Sequence, residues 1–162
     1  MRAFTAVDIE DREILLKLQE LQDELDFGFN LVEPEKMHIT LEFFQDIDEE
    51  AAEEIIQAMK QVEIDPFTLE VEGAGVFLSK DYIRVVWTGV ESEEVFPLKK
   101  QVSQHSIESD NDHDFHPHVT LARVKRISRM HKKDFREKLE ELEGEEIGTL
   151  EVNSIKLFES VR

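Results

Sequence analysis

The sequence of 162 residues has no cysteine, only six glycines and four prolines, and no long linker or low-complexity tract. Because thiols are missing, disulfide bonds, cysteine–zinc sites and thiol catalysis are excluded. No apolar stretch approaches the roughly 18 residues that a membrane-spanning helix needs. The first residues, MRAF, lack the apolar centre of a signal peptide and are typical of a strand. We therefore expect a soluble cytoplasmic protein with no membrane association.

Basic residues are also scarce, since 19 Lys and Arg stand against 38 Asp and Glu and give a formal net charge of −19. This balance ordinarily argues against a nucleic-acid partner, because affinity for polyphosphates depends on basic side chains displacing counterions. Hydrophobic residues still make up 40% of the chain, more than a charged disordered tail contains. We expect a buried core under an acidic surface, in one domain or two very small lobes.

Apolar residues alternate between helical and strand-like spacing along the whole chain. Helical spacing is found over residues 8–26, 51–62, about 95–107 and 135–142. Strand-like segments are residues 2–8, 29–32, 37–44, 67–71, 82–89, 115–122 and 147–159. The strands are short and interrupted, which suits antiparallel pairing better than a buried parallel sheet. The pattern predicts an α+β fold.

Two segments, MHITL and PHVTL, carry the same His-x-Thr pattern at residues 37–41 and 117–121. Since strand side chains alternate between two faces, each histidine shares a face with its threonine, about 7 Å away along the strand. The four residues are His38, Thr40, His118 and Thr120. The histidines are 80 positions apart, close to half the chain. We predict two similar lobes whose polar strand faces meet across a cleft.

Paired histidines can carry out acid–base chemistry, because an imidazole with its ordinary pKa near 6.5 takes or gives a proton near neutral pH. One of two facing rings can remove a proton from water while the other protonates a leaving oxygen. The nearby hydroxyl groups can donate to non-bridging oxygens and stabilise developing charge. This set suits in-line displacement at phosphorus without a metal ion. A single His-x-Thr is common in strands, so the hypothesis depends on the repetition.

The segments around and between the two motifs resemble the two-histidine (2H) phosphoesterase superfamily, and within it the RNA 2′,3′-cyclic phosphodiesterase family once called 2′-5′ RNA ligases. The matching segments are RAFTAVD at 2–8, PEKMHITLEF at 34–43, GAGVF at 73–77, RVVWTGV at 84–90 and FHPHVTLARV at 115–124. The resemblance extends from residue 1 to about 160. The chain departs from the family at Phe44-Gln45, where Leu-Gly is frequent, and at Leu78, where proline is common.

The resemblance implies one bilobal domain over residues 1–162, with interleaved, pseudo-symmetric lobes that each form an antiparallel sheet with outer helices around a central cleft. It implies hydrolysis of a terminal 2′,3′-cyclic phosphate on RNA to a 2′-phosphate, with no metal or other cofactor. By the family's assignment, His38 donates a proton to the departing 3′ oxygen and His118 accepts one from the attacking water. Thr40 and Thr120 hold the phosphate oxygens.

The expected partners are RNA 3′ ends or nucleotides that carry a 2′,3′-cyclic phosphate. We expect a monomer, with no obligate protein partner. The same four motif residues would also serve small cyclic nucleotides, ADP-ribose cyclic phosphate or the reverse reaction, 2′-5′ ligation of RNA. A non-catalytic module that binds RNA ends would keep the motifs too.

Phe43 and Arg123 each follow their histidine by five residues, and the resemblance places both near the nucleotide. Simple strand alternation instead puts them on the face opposite the histidines, so a bulge, a strong twist or a strand end is required. Phe77 and Trp87 are interpreted as core residues rather than as base-stacking platforms.

Metal sites are weighed and set aside. Asp110, Asp112 and Asp114 begin like a calcium loop, but Phe115 and Leu121 stand where glycine and glutamate are needed. The histidines of the same region fit no zinc spacing. These are His105, His113, His116 and His118.

The scarce positive charge is concentrated in one window. Residues 123–133 hold six basic side chains and no acidic one, directly after the second motif. We expect this window to form a basic rim that attracts an RNA end in an otherwise acidic protein. The alternative is a solvated cluster of charges before a helix.

Overall fold

The computed structural model describes residues 1–79, 82–103 and 115–160. In these ranges, the strands are β1 (Arg2–Asp8), β2 (Asn30–Leu31), β3 (His38–Phe44), β4 (Phe67–Ser79), β5 (Tyr82–Glu91), β6 (His118–Arg123), β7 (Glu146–Val152) and β8 (Lys156–Ser160). The helices are α1 (Arg12–Leu25), α2 (Glu49–Lys60), α3 (Val95–Val102) and α4 (Arg129–Glu141), with a short 3₁₀ turn at Pro34–Lys36. This is the α+β composition that the apolar spacing predicts.

The three longer helices begin at side chains that accept hydrogen bonds from otherwise unpaired backbone N–H groups. Asp11 caps α1, Asp48 caps α2 and Ser128 caps α4. The helix predicted from residue 8 therefore begins only at Arg12, because β1 continues to Asp8 and the cap follows it. The last residues of the helix predicted over 95–107 lie outside the described part of the chain. Within that part, no helix is long and apolar enough to cross a membrane.

The strands pair antiparallel in the order β7-β4-β5-β6-β3-β1-β8, and β2 pairs with β6. The two strands that carry the His-x-Thr motifs lie side by side at the centre of this order. They are joined at a single residue pair, Ile39 with Val119, whereas their outer neighbours are paired over most of each strand. The sheet thus consists of two antiparallel halves that meet where the motifs are.

Helices cover one face of both halves of the sheet. The larger core, which includes Leu18, Val86 and Phe135, lies under α1, α3 and α4, and a smaller one with Phe44 and Ile55 lies under α2. Although α1 comes early in the sequence, it packs against β6, β7 and α4 of the other half. The two halves are therefore interleaved along the chain.

A buried ion pair connects α3 to the first motif strand. The ammonium group of Lys99 lies 3.3 Å from the Glu42 carboxylate, whose side chain is only 1% exposed. The Lys99 ammonium also lies over the Phe115 ring, 5.4 Å from its centroid. This contact fixes α3 against β3 behind the motif.

Candidate active site

The four motif residues share one face of the sheet. Ile39 and Val119 are fully buried, whereas the motif histidines and threonines are half-buried, as the strand alternation predicts. Antiparallel pairing at Ile39–Val119 sets each histidine across from the threonine of the other motif, where facing Cβ atoms are about 5 Å apart. His38 and Thr120 line one cleft of about 620 Å³.

Both histidines are oriented by the backbone of their own strand. His38 Nδ1 lies 2.8 Å from the carbonyl oxygen of Lys36, and His118 Nδ1 lies 2.7 Å from that of His116. Because a carbonyl oxygen only accepts, each Nδ1 carries the hydrogen and donates it. In the neutral rings Nε2 is then the basic atom, and it is the one available for proton transfer. Nε2 of His38 lies 2.9 Å from the Thr40 hydroxyl.

Aromatic side chains of β1 and β8 pack against the first histidine. The Phe4 ring stacks on His38 with a centroid distance of 4.6 Å and an interplanar angle of 25°. Phe158 stacks on Phe4 in turn, at 5.3 Å. Sequence reasoning missed both residues, because Phe4 reaches His38 through the pairing of β1 with β3 and Phe158 through the pairing of β8 with β1.

Two further aromatic residues pack against the second histidine. Phe77 meets the His118 ring edge-on at 4.8 Å, and Trp87 lies 6.3 Å from it. The interpretation of Phe77 and Trp87 as core residues is therefore wrong, since both are half-buried beside His118. The physical reason is register, because Trp87 pairs with Thr120 and shares its face. Gly75 provides the space, as a Cβ there would lie 2.5 Å from the indole ring.

Burial lowers the pKa of both His38 and His118 below the ordinary value, because a buried ring is less easily charged. The two rings differ in their charged neighbours. Asp8, which pairs with His38 across the strands, raises the pKa of that histidine. His116, His38 and Arg123 act on His118 through their charge and lower its pKa further, and Arg123 also lowers the pKa of His38. His38 is thus the histidine with a carboxylate nearby.

Both motif strands contain a β-bulge at the same place. In β3, Thr40 and Glu42 face consecutive residues of β1, so Leu41 is an extra residue. In β6, Thr120 and Ala122 face consecutive residues of β5, so Leu121 is the extra one. One extra residue reverses the strand alternation from that point on.

The bulges return Phe43 and Arg123 to the face of the histidines. Phe43 pairs with Phe4, whose ring stacks on His38, so the two phenylalanines share that face. Arg123 is exposed and lines the same cleft as His38. The objection that simple alternation raised against these two residues is thereby removed.

Buried polar side chains support each bulge. The Thr5 hydroxyl, which is fully buried, accepts a hydrogen bond from the Glu42 N–H at 3.1 Å. The Gln22 side-chain amide, 4% exposed, donates to the carbonyl of Leu121 at 2.9 Å and to that of Val32 at 2.8 Å. Sequence reasoning missed both, although Gln22 interrupts the apolar stripe of α1 and is a signal of a buried polar contact.

Metal-ligating groups are not clustered in the described ranges, where no three His, Asp or Glu side chains are placed to hold an ion. His116 is exposed, and its ring lies 4.7 Å from that of Trp87. The other histidines and aspartates weighed for a metal site lie outside the described residues. They are His105, His113, Asp110, Asp112 and Asp114.

Comparison with known sequences finds similarity over almost the whole chain. The family model described as LigT-like phosphoesterase matches residues 7–87 and 90–162. An RNA 2′,3′-cyclic phosphodiesterase of Methanothermobacter thermautotrophicus is 34% identical, with 99% of this chain and 90% of the relative covered. An RNA 2′,3′-cyclic phosphodiesterase of Archaeoglobus fulgidus is also 34% identical, with 99% and 92% covered.

Solved structures share the fold. A Thermus thermophilus protein aligns with a TM-score of 0.75 at 23% identity, over 97% of this chain and 87% of its own. Escherichia coli LigT without ligand aligns with a TM-score of 0.73 at 22% identity, over 99% and 89%. These likenesses confirm the predicted fold.

Proposed function

Because this chain belongs to the LigT-like phosphoesterase family, we propose that it is an RNA 2′,3′-cyclic phosphodiesterase that leaves a 2′-phosphate. The observation that carries the proposal is the pair of motif histidines on one face of the sheet, each with Nδ1 tied to a backbone carbonyl, so that Nε2 is the atom left for proton transfer. An acid and a base on opposite sides of a phosphorus atom are what ring opening by water requires.

In the proposed reaction, Nε2 of His118 takes a proton from water, and the water oxygen forms a bond to phosphorus. The bond between phosphorus and the 3′ oxygen breaks, and His38 in its protonated form gives that oxygen a proton. The products are a 3′-hydroxyl and a 2′-phosphate. His118 ends protonated and His38 neutral, and exchange of protons with solvent restores both rings.

The roles of the two histidines are supported by the charges around them. A general acid must be protonated before the reaction, and Asp8 favours the protonated form of His38. A general base must be neutral, and burial together with the charge of Arg123 favours the neutral form of His118, which has no carboxylate among the groups that shift its pKa. This electrostatic difference agrees with the family's assignment of His38 as donor and His118 as acceptor.

The remaining site residues are proposed to bind the substrate. Thr40 and Thr120 lie across from the opposite histidine, where their hydroxyl groups can donate to the non-bridging phosphate oxygens. Arg123 adds a positive charge at the same cleft. Phe43, which shares a face with Phe4, offers an aromatic surface to the terminal nucleoside. All of these residues come from one chain, so a monomer suffices.

The test is hydrolysis of an RNA oligonucleotide that ends in a 2′,3′-cyclic phosphate, assayed with a chelator present. We expect turnover by the unmodified protein and a loss of about 10²–10⁴-fold in kcat for His38→Ala and for His118→Ala. His131→Ala is the matched control, because His131 is exposed on α4. The product end is identified by its resistance to a phosphatase specific for 3′-phosphates.

Two results would contradict the proposal. The first is an unmodified protein that leaves the cyclic phosphate closed. The second is ring opening that persists at the full rate in both histidine variants. Equal thermal stability of the variants ensures that a lost rate reports on chemistry.

A further inference from the structure

A second groove lies beyond the catalytic cleft, between α4 and the end of the β4–β5 hairpin. Its volume is about 540 Å³, and apolar side chains such as Val76, Ile83 and Phe135 form part of its lining. Five basic side chains surround this apolar part. They are Arg84, Lys125, Arg126, Lys132 and Arg136. We call this feature the basic groove.

The basic groove concentrates positive charge in a strongly acidic protein. It holds five of the 19 basic residues, and no acidic residue is among those that line it in the described part of the chain. No ion pair joins any of the five to a carboxylate of the described residues. The lysines of α4 that do not line the groove differ, because Lys133 is paired with Glu137 at 3.9 Å and Lys138 with Glu141 at 3.3 Å and Glu24 at 3.8 Å. Lys132 and Arg136 of α4 thus face the groove without a carboxylate partner among the described residues.

An exposed aromatic side chain lies at the same groove. Tyr82 is 61% exposed, and the Arg84 guanidinium lies over its ring, 5.6 Å from the centroid. Leu78, on the neighbouring strand, is also 61% exposed. Basic side chains with an accessible aromatic ring are the combination that binds single-stranded nucleic acids, since phosphates meet the cations and a base stacks on the ring.

The basic groove lies on the helix-covered face of the sheet, because Val76 pairs with the buried Val86, and it adjoins the end of β6 where Arg123 lines the catalytic cleft. Lys125 follows Arg123 by two residues, a distance of about 7 Å along an extended chain. Arg84 precedes Val85, which pairs with Arg123, and the Arg84 carbonyl accepts a hydrogen bond from the Val124 N–H at 2.9 Å. A polyanion whose end occupies the cleft therefore reaches the groove by passing around this end of the sheet, over Arg123 and Lys125.

We propose that the basic groove binds the single-stranded RNA segment that precedes the terminal cyclic phosphate, with a base on Tyr82 and phosphates on the cations. The inference rests on the proposed function and deepens it, because it makes an RNA chain, rather than a mononucleotide, the preferred substrate. Arg123 then holds the terminal nucleotide, and the groove holds the chain before it.

The test combines equilibrium binding with turnover. Binding of a fluorescent RNA octamer is measured with Lys132→Gln/Arg136→Gln and with the matched control Lys133→Gln/Lys138→Gln, which removes two charges from α4 outside the groove. We expect the groove variant to bind roughly tenfold or more weakly at 0.1 M salt, and its log Kd to depend less on log salt, by about 1.4 in slope. The control should bind like the unmodified protein.

Turnover separates this inference from the proposed function. We expect the groove variant to show a raised KM for an octamer ending in a cyclic phosphate, and unchanged kcat/KM for a 2′,3′-cyclic mononucleotide. Tyr82→Ala should weaken octamer binding, and Tyr82→Phe should retain it, because the ring alone provides the stacking surface.

Each contrary outcome has one meaning. Octamer binding that is equal in the groove variant and the control overturns the inference, whatever the turnover. Tighter groove-dependent binding of polyglutamate than of the octamer also overturns it, and assigns the surface to an acidic protein partner. Groove-dependent octamer binding without turnover of either substrate supports the groove and contradicts the phosphodiesterase activity.

Discussion

Replacing Gln22 tests whether a buried hydrogen bond places Arg123 in the catalytic cleft. The Gln22 amide donates to the carbonyls of Leu121 and Val32, at 2.9 and 2.8 Å, from a side chain that is 4% exposed. Gln22→Met removes both donors and keeps the length of the side chain. Since methionine is as good a helix former as glutamine, α1 should persist while the β6 bulge loses its support.

The expected loss of stability follows from what each carbonyl retains. Leu121 keeps a hydrogen bond from the Val32 N–H at 2.9 Å, so only about 1 kcal/mol of net hydrogen bonding is lost there. The partly buried Val32 carbonyl loses the Gln22 donor, at a further cost of about 1 kcal/mol. Burial of the methionine side chain offsets part of this sum. We expect the free energy of unfolding to fall by about 1–2 kcal/mol.

The assay pairs urea denaturation with kinetics on a 2′,3′-cyclic phosphate substrate. If the bulge positions Arg123, Gln22→Met should lower kcat/KM toward the value of Arg123→Ala. Combining the two changes should lower kcat/KM little further, because both act by removing the same contact between Arg123 and the substrate. Gln19→Met is the matched control. The Gln19 amide donates to the Leu15 carbonyl of its own helix at 3.2 Å, so the change should alter stability by less than about 0.5 kcal/mol.

Two results would refute this reasoning. Equal stability of Gln22→Met and Gln19→Met would mean that the hydrogen bonds to β6 contribute nothing. Destabilisation with kcat/KM unchanged, when Arg123→Ala lowers it, would mean that the bulge forms without Gln22.

Two further predictions concern charge. Burial lowers the pKa of both motif histidines below 6.5, so the plot of kcat/KM against pH should be bell-shaped with its maximum below pH 6.5. In Asp8→Asn the alkaline limb should move to lower pH, because the carboxylate that raises the pKa of His38 is gone. Movement of the acid limb alone in the pH–rate profile would contradict this prediction. Lys99→Met should lower the free energy of unfolding, measured in urea, by about 3 kcal/mol, because the buried Glu42 carboxylate loses its cation. Adding Glu42→Leu should recover most of the loss. A double variant no more stable than Lys99→Met would argue against the ion pair as the cause.

Local pattern in the sequence predicted the parts of the site that depend on neighbours along the chain. The alternation of His38 and Ile39 is confirmed, because one face of β3 is covered by helices and the other is open. The resemblance drawn from the motifs is confirmed by the family model. The roles of the individual residues stay predictions.

The sequence could not predict the features that depend on contacts between distant segments. The reversal of alternation before Phe43 requires a bulge, and that bulge is supported by Thr5, 37 residues away from its partner. The strand predicted over 67–71 continues to Ser79 because register shifts let β4 stay paired with β5. Phe158 reaches the first histidine only through the pairing of β8 with β1. Each of these is a property of the assembled sheet.

The same register gives the motif histidines of the two similar halves different neighbours. The pair Ile39–Val119 relates the motif strands symmetrically, and each histidine faces one residue of its outer neighbour. For His38 that residue is Asp8, and for His118 it is Gly89. A glycine brings no charge, whereas Asp8 stabilises a protonated imidazole and is itself held 3.1 Å from Lys156. The structural symmetry thus anchors both rings through Nδ1, and one register position gives only His38 a carboxylate partner, which is the difference that supports the proposed acid and base roles.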